Sequence, residues 1–435
     1  MKKSFALVAL LLMACMLFAG GSSDSKSSSA GKEAITYWNI ASTDPDKKVV
    51  ENAVKEANEL LADSGYYIEN MPTQNDKYKE KVIIAMSSGQ APDLYSSWSG
   101  GPLFEYVDSG FAQPLEDLIE SSPIKDKVSP AALSQATYNG HIYGVPYLNI
   151  SIAGIFYNTE IFAKYGLEEP KTLSELEHIC EVLKANGIIP FALANRTKWT
   201  ASMMFICLAT RIGGLEPFQA AVAGTGSFED DCFIQAGEIM QDWVRKGYFP
   251  EGVNSLNEDD GQARQLMYQG KAAMLLNGSW YTGTFPSDSK EFYQKIGWFS
   301  FPAVEGSDAD PDIQIGTVGD QFISMNPSVQ GAKREAAWKL IEAHLSDTSN
   351  QIVIDIGKIP PLVGSENMVT DPVTRKVALA ASSAPAIQLW YDQYLPPTVA
   401  TAHLDGFQEV MGLTKTPAQA QAEMQAAMEE YNAKK

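Results

Sequence analysis

The chain is short of the residues on which most metal and thiol chemistry depends, with four cysteines and four histidines in 435 residues. Cys15 falls in an N-terminal apolar run, and Cys180, Cys207 and Cys232 are an odd set with no CxxC spacing and no histidine in a ligand register. That pattern argues against a structural zinc or a disulfide framework and leads us to expect buried free thiols. His141, His178, His344 and His403 are scattered, and the sequence has no GxSxG, HExxH or GxxxxGK[ST] element, so familiar hydrolase and phosphate-loop chemistries find no support. Asp308, Asp310 and Asp312 imitate the start of a calcium loop, but Ile313 and Gly319 occupy its sixth and twelfth positions, which reads as a solvated acidic loop. No cofactor, no metal and no catalytic residue is expected, and the chain is read as a non-enzyme.

Positive charge is also scarce. Against 53 acidic residues stand 33 basic ones, a formal charge of -20 that repels phosphate backbones and anionic headgroups. Nucleic acid is therefore not expected as a partner. Long apolar runs are missing as well, apart from residues 5–18, which are too few for a spanning helix. That run follows Lys2 and Lys3 and ends in Ala19, Gly20 and Gly21, the three-part layout of a secretory signal over residues 1–21. Residues 22–32 are Ser-rich and read as a flexible tether. Leu12-Met13-Ala14-Cys15 resembles a lipobox, yet Cys15 lies inside the apolar run and Gly21 stands where a modified cysteine would be expected. Export is expected, with the protein membrane-tethered at the cell surface if lipidated and otherwise secreted or periplasmic.

What is present is an ordinary globular composition, 45% apolar and 10% aromatic, over a length that favours two domains or two lobes sharing crossings of the chain. A β-branched and aromatic run at 34–40 predicts a first strand, helical spacing of apolar residues predicts a helix over 48–62, and 66–71 returns as a strand. The alternation continues with a helix at 76–88, strands at 93–97, 140–147, 152–158 and 190–194, and later strands at 272–276, 296–301 and 321–325. Further helices are predicted at 174–186, 201–212, 233–246, 259–269, 332–347, 372–381 and 417–432. No repeat of fixed period is evident. Two doubly wound α/β lobes fit this order, with an eight-fold barrel as the rival architecture.

Several motifs in sequence order resemble those of the family 1 extracellular solute-binding proteins, which include sugar-binding components of ABC importers. They are Ala91-Pro92-Asp93-Leu94, the stretch 111–118, Tyr143-Gly144-Val145-Pro146-Tyr147, Phe156-Tyr157-Asn158 with Phe162, and Tyr165-Gly166-Leu167 with Pro170. Gly270-Lys271-Ala272-Ala273-Met274, Asn277-Gly278-Ser279-Trp280 and Ala336-Ala337-Trp338-Lys339-Leu340-Ile341 complete the set, which spans nearly the whole mature chain. The resemblance implies a two-lobed periplasmic-binding-protein-like fold of type II, each lobe a mixed sheet flanked by helices with a ligand cleft between. By that analogy residues 33–151 and 299–345 form the N-terminal lobe and 152–298 and 346–435 the C-terminal lobe, with crossings near 149–153 and 298–302.

A sugar offers apolar ring faces and a rim of hydroxyls, so its site needs flat aromatic platforms and planar polar groups. Trp98, Trp199 and Trp280 each follow or end an expected strand, and Trp390 sits beside Asp392 in an aromatic segment before Pro396 and Pro397. Asp44 after the first strand, Asp320 before a late one and Asp392 are the expected carboxylate partners, and Tyr147 joins them as a candidate contact. Trp243 and Trp338 lie at helical positions among apolar residues and are expected in the core. The function read from this set is a monomeric receptor that delivers carbohydrate, expected to be an oligosaccharide, to ABC permease subunits in the membrane. The alternatives are a secreted glycoside-acting enzyme with two carboxylates across a bond, or a receptor for another solute such as a peptide or polyamine.

Overall fold

The computed structural model describes residues 31–434, so the expected leader, Cys15 and nearly all of the tether lie outside the described residues. Two mixed sheets organise the chain. The first has the order Tyr66–Pro72, Glu33–Asn39, Leu94–Ser97, Phe322–Met325, Val145–Pro146. Its first three strands run parallel, as the strand–helix–strand pattern predicts, and Phe322–Met325 joins antiparallel to both neighbours. Helix Asp46–Leu60 turns Val49, Val50, Ala53 and Ala57 inward at helical spacing and packs on helix Gly331–His344.

The second sheet has the order Ile387–Gln388, Gln314–Thr317, Ser151–Asn158, Ala272–Gly278, Ile189–Phe191, and Ile296–Phe299 also pairs with Ser151–Asn158. Ser151–Asn158 and Ala272–Gly278 are buried along almost their whole length, which is why they read as continuous apolar runs rather than alternating ones. Helix Trp199–Gly213 is nearly sheathed in protein and packs with Asp231–Lys246 and Pro397–Met411. The last helix, Pro417–Ala433, starts with a reciprocal capping box between Thr416 and Gln419, with Pro417 in the first turn.

The architecture is the two-lobed α/β fold expected, and the barrel rival is set aside by two separate open sheets. The position of the crossings differs. The chain passes from the first sheet to the second at 147–150, close to expectation, but Gln314–Thr317 still pairs in the second sheet, so the return lies at 318–321 and not at 298–302. Helix Asp347–Asp355 packs on Asp46–Leu60, Val353 lies in the first core, and Leu362 still bridges Val128 of that lobe, so the third passage runs through 356–364 and not at 345–346. The short strand Gln314–Thr317 was invisible in the sequence because an acidic loop precedes it and Gly316 interrupts it. A side chain on Gly316 would meet the Ser151 carbonyl oxygen at 2.1 Å, so close strand approach explains that glycine.

Two smaller differences have local causes. The expected strand at 140–147 is broken into a tight hairpin, Thr137–Tyr138 with His141–Ile142, and the separate Val145–Pro146 strand. Helix Pro397–Met411 was not foreseen, since the Pro396-Pro397 pair that starts it also marks loops. Trp243 and Trp338 are in the core as expected, and Cys180, Cys207 and Cys232 are free, the first two buried and the third half-buried. Asp308, Asp310 and Asp312 lie in an exposed loop. Among the described residues no helix is long and apolar enough to cross a membrane.

Candidate ligand-binding site

A cleft with about 870 Å³ of atom-free space opens between the two sheets. Its walls come from ends of elements, where the backbone leaves regular pairing and side chains are free to point outward. Trp98 follows the carboxyl end of Leu94–Ser97, and Trp280 follows that of Ala272–Gly278 and caps helix Tyr281–Asp288. Trp199, expected in a loop, is instead the first residue of helix Trp199–Gly213, reached through Lys198 at a φ of 66°. Trp390 caps the one-turn helix Tyr391–Tyr394.

Three of these indoles form a chain. The Trp199 and Trp280 ring centroids are 5.8 Å apart at 68°, and those of Trp280 and Trp390 are 6.3 Å apart at 63°. Edge-to-face contact of this kind stabilises the group and fixes the rings without a polar anchor. The Nε1 atoms of Trp199 and Trp390 are buried and have no protein partner, and neither has Oε1 of Gln393, which lines the same cleft. Burying such a group without a partner costs about 1–3 kcal/mol.

The carboxylates are as distinctive. Asp320, only 9% exposed, sits in the return crossing, and burial pushes its carboxyl up to about 6, with Lys358 opposing and Asp46 adding to the shift. Burial also raises Asp392, against the pull of Lys79. Lys79 Nζ stands 3.9 Å from Asp392 Oδ2 and 5.0 Å from the Trp98 ring centroid. Lys358, 2% exposed, pairs with Asp46. Asp259 of the second lobe accepts the backbone N–H of Asp76 at 3.1 Å, in the first turn of helix Asn75–Ser87, whose own N-cap residue Gln74 provides no side-chain cap. Gln74 instead donates to Asp260 at 3.0 Å.

Of the eight residues expected from sequence, the structure brings six to this cleft: Trp98, Trp199, Trp280, Trp390, Asp320 and Asp392. Asp44 is elsewhere, half-exposed in the turn before helix Asp46–Leu60 and 3.1 Å from Lys48 of that helix. Tyr147 is buried in the first core against the His344 ring, and its hydroxyl donates to Gln321 Oε1 at 2.7 Å. It stands behind a cleft residue rather than lining the cleft. Sequence reasoning passed over Asp46, Lys79, Asp259, Gln321, Lys358 and Gln393. Gln321 and Gln393 adjoin chosen aspartates and were within reach, whereas Lys358 follows a helix that the sequence pattern did not reveal.

The model of the bacterial extracellular solute-binding protein family matches residues 26–351. An uncharacterized ABC transporter extracellular-binding protein from Pyrococcus horikoshii is 31% identical over 203 residues, 46% of this chain and 45% of that protein, so the match spans about half of that relative's length. The multiple sugar-binding protein of Streptococcus mutans is 24% identical over 85% of this chain and 84% of its own. A solved structure from work on xylan utilization by Caldanaerobius polysaccharolyticus superimposes with a TM-score of 0.82 at 28% identity, covering 91% of this chain and 99% of that one. With two lobes, a cleft between them and a family match over three quarters of its length, the chain belongs to the bacterial extracellular solute-binding proteins.

Proposed function

We propose that the chain is the extracellular substrate-binding component of an ABC importer and that its ligand is a carbohydrate, an oligosaccharide by preference. The observation that carries this reading is the run of three indoles, Trp199, Trp280 and Trp390, beside the carboxylates of Asp320 and Asp392 in one cleft. Indole faces match the C–H faces of a pyranose, and carboxylate and amide groups pair with hydroxyls that would otherwise be stranded on leaving water. The sugar named for the Streptococcus mutans relative and the xylan context of the Caldanaerobius structure point the same way.

Three crossings at 147–150, 318–321 and 356–364 suit hinge closure of the lobes around the ligand, with the closed form then presented to permease subunits. The protein is read as an exported monomer, released or held at the membrane according to whether Cys15 is lipidated. A receptor needs no turnover, and its family is one of binding proteins.

A thermal-shift panel of mono- and oligosaccharides tests the proposal, because a ligand selective for the folded form raises Tm by mass action. A sugar that raises Tm and is recovered intact supports it. Release of smaller sugars from a mixed oligosaccharide pool would establish a glycoside-acting enzyme instead. A panel on which only peptides respond would move the chain to another class of cargo.

A further inference from the structure

The charge of the cleft narrows the ligand. Four carboxylates line it, those of Asp46, Asp259, Asp320 and Asp392, against the two ammonium groups of Lys79 and Lys358. Lys358 is already paired with Asp46. Asp259 accepts a backbone N–H. Lys79 reaches Asp392 only at 3.9 Å and remains 38% exposed, a loose contact. Asp320 is more than nine-tenths buried, and no hydrogen bond to its carboxylate from a described residue accompanies the burial.

Resting on the carbohydrate reading above, we infer that the ligand is an amino sugar whose protonated amino group lodges between Asp320, Asp392 and the indole faces. A neutral polyol can donate hydroxyl protons to these oxygens, but it leaves a formal charge of -2 in the cleft, from four carboxylates and two ammoniums. An ammonium offsets part of that charge and brings three donors. The chain already holds an ammonium in such a setting, since Lys79 Nζ lies over the Trp98 ring and beside Asp392. Its long stem and exposure let Lys79 withdraw into solvent as the ligand's cation arrives. Trp199, Trp280 and Trp390 offer further π faces on the opposite lobe.

The test is calorimetric titration of the mature protein at pH 7 with matched saccharides that differ at one carbon only, bearing hydroxyl, acetamide or ammonium. Glucose, N-acetylglucosamine and glucosamine, and their β-1,4-linked dimers, make a suitable set, with spermidine as a cation that is not a sugar. The expected result is at least ten-fold tighter binding of the ammonium member, weakening as salt is raised, with Asp320→Asn and Asp392→Asn each reducing the preference by several-fold. Circular dichroism of both variants checks that the fold is kept. Equal or tighter binding of a hydroxyl or acetamide member overturns the inference and leaves the carbohydrate reading standing. Binding of spermidine without any saccharide overturns both, and failure of every amino sugar in the set overturns the inference.

Discussion

A Cβ on Gly278 would lie 2.0 Å from the six-membered ring of Trp280 two residues on. The strand ends in a residue without a side chain so that the indole can fold back across it into the cleft. Gly278→Ala is expected to push the ring out of its edge-to-face contacts with Trp199 and Trp390. Overpacking of this kind costs about 1–3 kcal/mol. Calorimetry should show at least a ten-fold loss of sugar affinity, and denaturant titration a modest loss of stability. Unchanged affinity would mean that the ring position is unimportant for binding.

Trp280→Ala and Trp243→Ala separate recognition from folding. Trp280 is half-buried at the cleft, so its removal should abolish most sugar affinity while lowering stability by roughly 1–2 kcal/mol. Trp243 is fully buried, stacked on Phe191 at 5.7 Å and donating to Glu177 at 2.7 Å. Its truncation should lower stability by about 3–5 kcal/mol, with near-normal affinity in the fraction that folds. Titrations and urea melts on both variants decide the matter, and an unaltered affinity for Trp280→Ala would remove the leading contact.

Asp320 carries a testable pH signature. Its folded carboxyl is raised to about 6 from 3.8, so above about pH 6 the fold holds a charge that the unfolded chain holds more easily. The destabilisation is fully present there, is mostly lost as pH falls through 6 towards 4, and vanishes below 3.8, where both states are protonated. Asp320→Asn should therefore stabilise the ligand-free protein at pH 8 by roughly 1–3 kcal/mol, with the gain fading by pH 4. The difference between variant and parent is the quantity to follow, because His344 and His403, lowered by burial to about 3, destabilise the parent in the opposite direction as pH falls below 6.5. Equal gains at pH 8, 6 and 4 would assign the effect to something other than charge.

Asp259 caps a helix of the opposite lobe. Removing its carboxylate leaves the first turn of helix Asn75–Ser87 without the bond to Asp76 N–H, a loss of about 1 kcal/mol confined to the form in which the lobes touch. Asp259→Ala is expected to weaken sugar binding several-fold and to enlarge the radius of gyration of the ligand-free protein in X-ray scattering. An unchanged radius together with an unchanged Kd would show that this contact does not bias the lobes.

Much of the fold was legible because burial writes a period into the chain. Asp46–Leu60 and Asp231–Lys246 announce themselves by apolar residues at helical spacing, and Glu33–Asn39 by β-branched and aromatic residues. Gln314–Thr317 and Asp347–Asp355 did not, since a four-residue strand and a helix rich in polar residues owe their form to what they pack against. The tryptophans at strand ends were visible as loop aromatics. The site's lysines were not, because a lysine in a helix or after one looks like any solvated lysine until a carboxylate from elsewhere is placed beside it.

The linear order of residues determined the alternation of strands and helices, the acidic balance and the aromatic character of the loops, all of which follow from neighbours a few positions apart. Tertiary structure alone decided that Lys358 meets Asp46 across 312 residues and that Lys79 meets Asp392. It also decided that Tyr147 lies behind the cleft and Asp44 beside it. The reason is geometric: where each crossing leaves one sheet and enters the other sets which loop ends face one another, and no local periodicity encodes that choice.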